Sequence, residues 1–132
     1  MFFFSTLSLM SCTANQVDII ELTSEQQTLC EKHIKDFERS QISKIQNCLF
    51  DGMKTNANLS GSITTVVNIV DGQYVIKGEI ENTFNSKPVV ACMQKEISTW
   101  KMSYPKEKDG TTNINCNQVN HEIPFAFKKS SK

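Results

Sequence analysis

Gly61-Ser-Ile-Thr-Thr-Val-Val-Asn-Ile-Val-Asp71-Gly72, with the return from Tyr74 to Asn82, decides the fold. Ile63, Thr65, Val67 and Ile69 alternate with Thr64, Val66, Asn68 and Val70. A period of two built from β-branched residues specifies a strand. Val or Thr on both faces suits a central strand. Asp71-Gly72 predicts a tight hairpin turn, because that turn needs positive φ. The return strand puts Tyr74, Ile76 and Ile80 on one face and Lys77, Glu79 and Glu81 on the other. Gly78 predicts a bulge or a close helix contact.

Toward the C-terminus, Lys87 to Lys101 reads as a helix ending at about Trp100. Asn85 or Ser86 can cap it, and Pro88 suits its first turn. Val89, Cys92, Met93, Ile97 and Trp100 form its inward stripe, and Pro105 ends any continuation. Lys106 to Gln118 is polar and carries Asp109-Gly110, which reads as a loop or a long hairpin arm. Val119 to Lys128 is the last strand, with Ile123, Phe125 and Phe127 on one face. Pro124 cannot donate to a ladder, so this strand belongs at a sheet edge.

Toward the N-terminus, Ser24 followed by Gln27 fits a capping box, and Glu25 suits a first turn. Leu29, Cys30, Ile34, Phe37, Ile42, Ile45, Cys48 and Leu49 then recur mostly at spacings of three and four. That is one buried face of a helix. Asp51-Gly52 is the expected stop, and a break near Ser40 would give two shorter helices. A right-handed return through the second helix sets the third strand parallel to the second, with the first between them. The expected fold is α+β: a small three-stranded antiparallel sheet in order 2-1-3, with two main helices on one face.

Composition narrows the partners. The 132 residues carry 14 Lys plus Arg against 14 Asp plus Glu, so net charge is zero. A neutral chain with no basic run argues against nucleic acid or an anionic membrane surface as the main attraction. Arg39 is the sole arginine, which leaves bidentate phosphate recognition poorly supplied. No apolar stretch approaches the ~20 residues that a spanning helix needs.

Met1-Phe-Phe-Phe-Ser-Thr-Leu-Ser-Leu-Met10 is an apolar run of signal-peptide length. Leu9-Met10-Ser11-Cys12 resembles the lipobox of bacterial lipoproteins, whose cysteine is lipidated and becomes the mature N-terminus. No Lys or Arg precedes the run, and the expectation is a start upstream of Met1. Thr13 rather than Asp after Cys12 resembles outer-membrane lipoproteins. The expected divisions are a signal peptide over 1–11, a lipid-anchored tether over 12–22 and a folded domain over 23–130. The ten residues from Thr13 to Leu22 reach at most ~36 Å, which holds the domain close to its membrane. Cys30, Cys48, Cys92 and Cys116 remain after cleavage. An even set in an exported chain predicts disulfides, and four cysteines allow three pairings.

Gly61-x-Ile-x-Thr-x-Val-x-Ile-x-Asp-Gly72, Val90-x-Cys92-x-x-x-x-Ile97-x-x-Trp100, Pro105 and Pro124-Phe125-x-Phe127 together resemble the TonB C-terminal-like superfamily. The branch they resemble most is the AgmX/PglI C-terminal domain, over about residues 42 to 128. Ile45-x-x-Cys48 and Cys92 match that branch's cysteine pattern. Trp100-Lys-Met-Ser-Tyr-Pro105 is longer than the family's Trp-x-x-Pro, and the loop after it carries the extra Cys116. The resemblance implies a Cys48–Cys92 disulfide, which leaves Cys30–Cys116. It also implies a third strand that takes up a peptide of an envelope protein along its edge. The expected binding edge comprises Val119, His121, Ile123, Ala126 and Lys128.

No residue set points to catalysis, a cofactor or a metal. His33 lies on a charged helical stretch and His121 near a strand start, so both read as surface residues. Cys-x-x-Cys, paired histidines at zinc spacing and a phosphate loop are all missing from the sequence. Glu79 and Glu81 read as a solvated strand face. The chain is expected to be a non-catalytic, periplasm-facing interaction module, held to the membrane through its N-terminal lipid. The competing expectation is a structural accessory lipoprotein of an envelope, transport or motility complex.

Overall fold

The computed structural model describes residues 21–128. The apolar run, Cys12 and most of the expected tether lie outside the described residues. The elements in chain order are α1 (Ser24–Thr55), β1 (Ser60–Val70), β2 (Gln73–Ile80), α2 (Lys87–Ser98) and β3 (Gln118–Lys128). The strands form one antiparallel sheet in the order β2-β1-β3. The fold is α+β, and the two helices pack against each other.

The capping box of α1 stands one residue earlier than Ser24 and Gln27 predict. Gln26 N–H donates to Thr23 Oγ1 at 3.1 Å, and Thr23 N–H donates to Gln26 Oε1 at 3.0 Å. Either pair satisfies the box, and the backbone chooses the one whose hydroxyl meets an orphan N–H. α1 runs unbroken through Ser40, whose hydroxyl donates back to the Phe37 carbonyl. Gly52 does not stop it. The helix continues to Thr55, where Asn56 N–H closes onto Gly52 O at 2.9 Å. Gly52 is instead a point of close approach, since a Cβ there would lie 2.2 Å from Val89 Cγ2 of α2.

Val70 pairs with Gln73 around the two-residue Asp71-Gly72 turn, where φ is 51° and 85°. Ile63, Thr65, Val67 and Ile69 of β1 face the core and are each 1 % exposed or less. They meet Ile34 and Ile45 of α1 and Val89, Met93 and Ile97 of α2. Cys92 lies at the exposed margin of that stripe and Val90 takes a buried place in it. Trp100 falls just beyond α2, yet it is buried against Tyr74 and Phe37 with ring centroids at 5.4 and 6.1 Å.

β2 departs from strict alternation. Val66 pairs with Gly78 and Val67 with Ile76, so Lys77 is the extra residue of a bulge. The close helix contact considered for Gly78 is not made, because a Cβ there would meet nothing within 4 Å. The bulge reverses the phase of the strand's last residues. Ile80 therefore sits on the open face opposite Thr64, 43 % exposed, and not with Tyr74 and Ile76. Glu79 turns to the helix side, where it accepts from Gln94 Nε2 at 2.8 Å. Glu81 lies beyond β2 at φ 54°, so the two glutamates do not share a strand face.

Two disulfides tie the layers: Cys48–Cys92 between the helices and Cys30–Cys116 between α1 and the loop before β3. Their Cα separations, 5.8 and 5.5 Å, lie in the usual range. Cys30 and Cys116 seed a small satellite core with Ile114, against which Leu22 and Tyr104 pack. His33 is not a free surface residue, since its Nε2 lies within hydrogen-bond reach of the Ser103 carbonyl in the same loop.

Candidate functional site: the free edge of β3

β3 is an edge strand, as Pro124 requires, and ladder geometry fixes which of its backbone groups are free. In an antiparallel pair a residue turns both its N–H and its C=O to the same side. Thr83 N–H donates to Ser62 O at 2.8 Å, and Asn85 N–H donates to Ser60 O at 3.2 Å. Ser62 N–H reaches Thr83 Oγ1 at 2.9 Å and Ser60 N–H reaches Asn85 Oδ1 at 3.1 Å. Ser60 and Ser62 thus spend their groups on the side away from β3. Their partners across the ladder are Lys128 and Ala126, and Pro124 and Glu122 continue the series opposite Thr64 and Val66. Glu122, Ala126 and Lys128 therefore present N–H and C=O to the open edge, and Pro124 presents C=O alone.

The residues expected to bind a partner fall into two sets. Ala126 and Lys128 lie on the outward-facing register with exposed side chains. Ile123 belongs to the alternate register and is 3 % exposed, packed in the core. Val119 is 48 % exposed, next to a second bulge where Asn120 takes φ 56° and donates its N–H to Asn68 Oδ1 at 3.0 Å. Glu122 completes the outward set. The signal for it was present, because it shares the parity of Pro124.

His121 is not the surface residue its sequence context predicts. It pairs with Val67 on the helix side, and its Nε2 lies 2.7 Å from Glu38 Oε2. The same oxygen accepts from Tyr74 Oη–H at 2.8 Å. One carboxylate of α1 thus joins β2 to β3 beneath the helix. Burial and then the neighbouring Glu38 charge push the Tyr74 phenol well above its usual range. Burial also raises Tyr104, against a hydrogen bond from the Gly72 backbone that lowers it. Each group of the Tyr74–Glu38–His121 trio is spoken for by the others, which suits a structural clamp.

A depression of about 790 Å³ lies between the first turns of α1 and the 106–114 loop. Lys32 there is paired with Asp36 at 2.8 Å, and Lys106 donates to Asn113 Oδ1 at 3.1 Å. Asp109 accepts from the N–H groups of Thr112 and Thr111, and that lowers its carboxyl to about 2. These contacts hold the loop in shape. Among the described residues no group of three or more His, Cys, Asp or Glu is arranged to hold a metal ion. No described helix is long and apolar enough to cross a membrane. No family model, no curated protein and no solved structure matches this chain.

Proposed function

We propose that this chain is a lipid-anchored, non-catalytic protein-interaction module of the bacterial envelope. In this reading Cys12 carries the lipid, the domain faces the periplasm at the outer membrane, and its sheet is of the TonB C-terminal-like kind. Its partner is an extended segment of an envelope protein, added as a strand along β3. The observation that supports this is the outward row of backbone groups on Glu122, Ala126 and Lys128, for which a strand is the natural complement. Two disulfides in so small a domain agree with an oxidising compartment.

The accessory reading, without strand addition, draws on Pro124, whose missing donor shortens the usable edge. A photo-crosslinking side chain placed at Ala126, and separately at exposed Lys95 of α2, separates the two in intact cells. Strand addition gives a protein adduct from Ala126 and none of that mass from Lys95. Equal adducts from both positions, or none from Ala126, support the accessory reading. The mass of the mature N-terminal peptide tests the anchor, with an acylated Cys12 expected and an intact Met1 refuting it.

A further inference from the structure

The geometry points to a second copy of this chain as one strand partner of β3. This rests on the reading of β3 as an edge open to strand addition, and it names one occupant. The argument begins with charge. Glu122 and Lys128 both lie on the outward register, and both side chains are exposed on the sheet face away from the helices. Two copies of β3 paired antiparallel about Phe125 place Glu122 of each copy opposite Lys128 of the other. The two-fold axis makes that pair occur twice. Opposite charges directly across a ladder attract, and like charges repel.

The same register handles the proline best. Pro124 then lies opposite Ala126, so each of those pairs keeps one of its two hydrogen bonds, while each Glu122–Lys128 pair keeps both. A register centred on Pro124 would set two prolines face to face with no donor between them, and would leave Glu122 opposite Ala126. A register centred on Ala126 would set Pro124 opposite Lys128 and take Glu122 out of reach of that lysine. Only the pairing about Phe125 joins both charges. On the helix side it brings together Phe125 with its own copy and Ile123 with Phe127. Phe125 and Phe127 are only partly buried in the single chain. Three strands from each copy would form one continuous sheet.

Sedimentation equilibrium of the full chain, in density-matched nonionic detergent at low salt, measures the association directly. The wild type is expected to dimerise. Glu122→Lys and Lys128→Glu, each alone, should weaken the dimer about tenfold or more, because two attractive pairs become two repulsive ones. The decisive sample is an equal mixture of the two single variants. Each supplies what the other lacks, so the mixture should associate about as tightly as wild type. Circular dichroism checks that each variant is folded. A monomeric wild type overturns the inference, as does a mixture no tighter than its components. So do single variants that dimerise like wild type. If the wild type is monomeric while Ala126 still captures a different envelope protein, self-pairing alone has failed. If Ala126 captures nothing either, strand addition has failed with it.

Discussion

The two sides of the sheet are treated in opposite ways. On the β2 side, other backbone closes the ladder at both ends. Met102 N–H donates to Gly72 O at 2.8 Å and Tyr74 N–H donates to Trp100 O at 3.2 Å, with Gln73 bridged to Lys101. Beyond the other end of β2, Thr83 and Asn85 take over the groups of Ser62 and Ser60. Two glycines admit these segments. A Cβ on Gly72 would lie 2.0 Å from the Met102 carbonyl oxygen, and one on Gly61 would lie 2.4 Å from Phe84 Cα. On the β3 side, no described strand lies alongside. Its guards are Pro124 and the outward charges of Glu122 and Lys128, which discourage indiscriminate pairing without covering the edge. One sheet thus carries a side bridged by other backbone at the hairpin end and again beyond β2, and a β3 side along which no such bridge is made. Changes to the two sides should separate stability from binding.

The largest effect on folding is expected at Gly61. Its φ of 142° is one that side chains rarely adopt, and the atoms a Cβ would strike belong to the Phe84 and Thr83 backbone. Gly61→Ala should cost about 3 kcal/mol, read as a lower denaturation midpoint. A Gly61→Ala protein as stable as wild type would mean that the 83–85 segment does not seal that side.

Alkaline pH should act on the same side more gently. The Tyr74 phenol is held neutral by burial and by Glu38, so its folded value lies above the ordinary tyrosine value of about 10. For such a group the contribution to stability is complete below the unfolded value. Above pH ~10 the unfolded chain releases that proton while the folded chain keeps it. Stability should then fall by up to about 1.4 kcal/mol per pH unit. Tyr74 and Tyr104 are the only tyrosines, and both are shifted upward. Tyrosinate absorbance should therefore lag behind that of free tyrosine until the chain unfolds. A single transition near pH 10 in the folded protein would show that Tyr74 is not sealed in.

What could be read in advance follows the reach of each signal. The β1–β2 hairpin was legible because its causes are local: β-branched alternation and a turn that needs positive φ at both residues. Pro124 placed β3 at an edge, since a proline constrains the ladder wherever it falls. Local cues mislead where a distant neighbour overrides them. Gly52 looks like a helix stop but is kept small by Val89 across the α1–α2 contact. The Lys77 bulge inverts Glu79 and Ile80, and no period-two count can register one extra residue. His121 looked exposed beside Glu122, because Glu38 lies 83 positions away. Spacing left three disulfide pairings open. The pairs observed, Cys48–Cys92 and Cys30–Cys116, are those the family resemblance implied.

The smallest effect on folding should accompany a large effect on association, at Pro124→Thr. Proline is exposed there, and its nitrogen points away from β1 by the parity of Ser60 and Ser62, so no ladder bond is at stake. Threonine favours strands and restores an outward N–H. Global stability should change by less than about 0.5 kcal/mol. The edge, however, regains one donor per copy, and thus two bonds per dimer, at a net of roughly 1 kcal/mol each. Self-association should tighten about tenfold or more, and adducts from Ala126 should increase in step. If threonine leaves association unchanged while folding is also unchanged, the nitrogen of Pro124 does not face a partner. The asymmetry between the two sides would then reflect only where the chain has segments to spare.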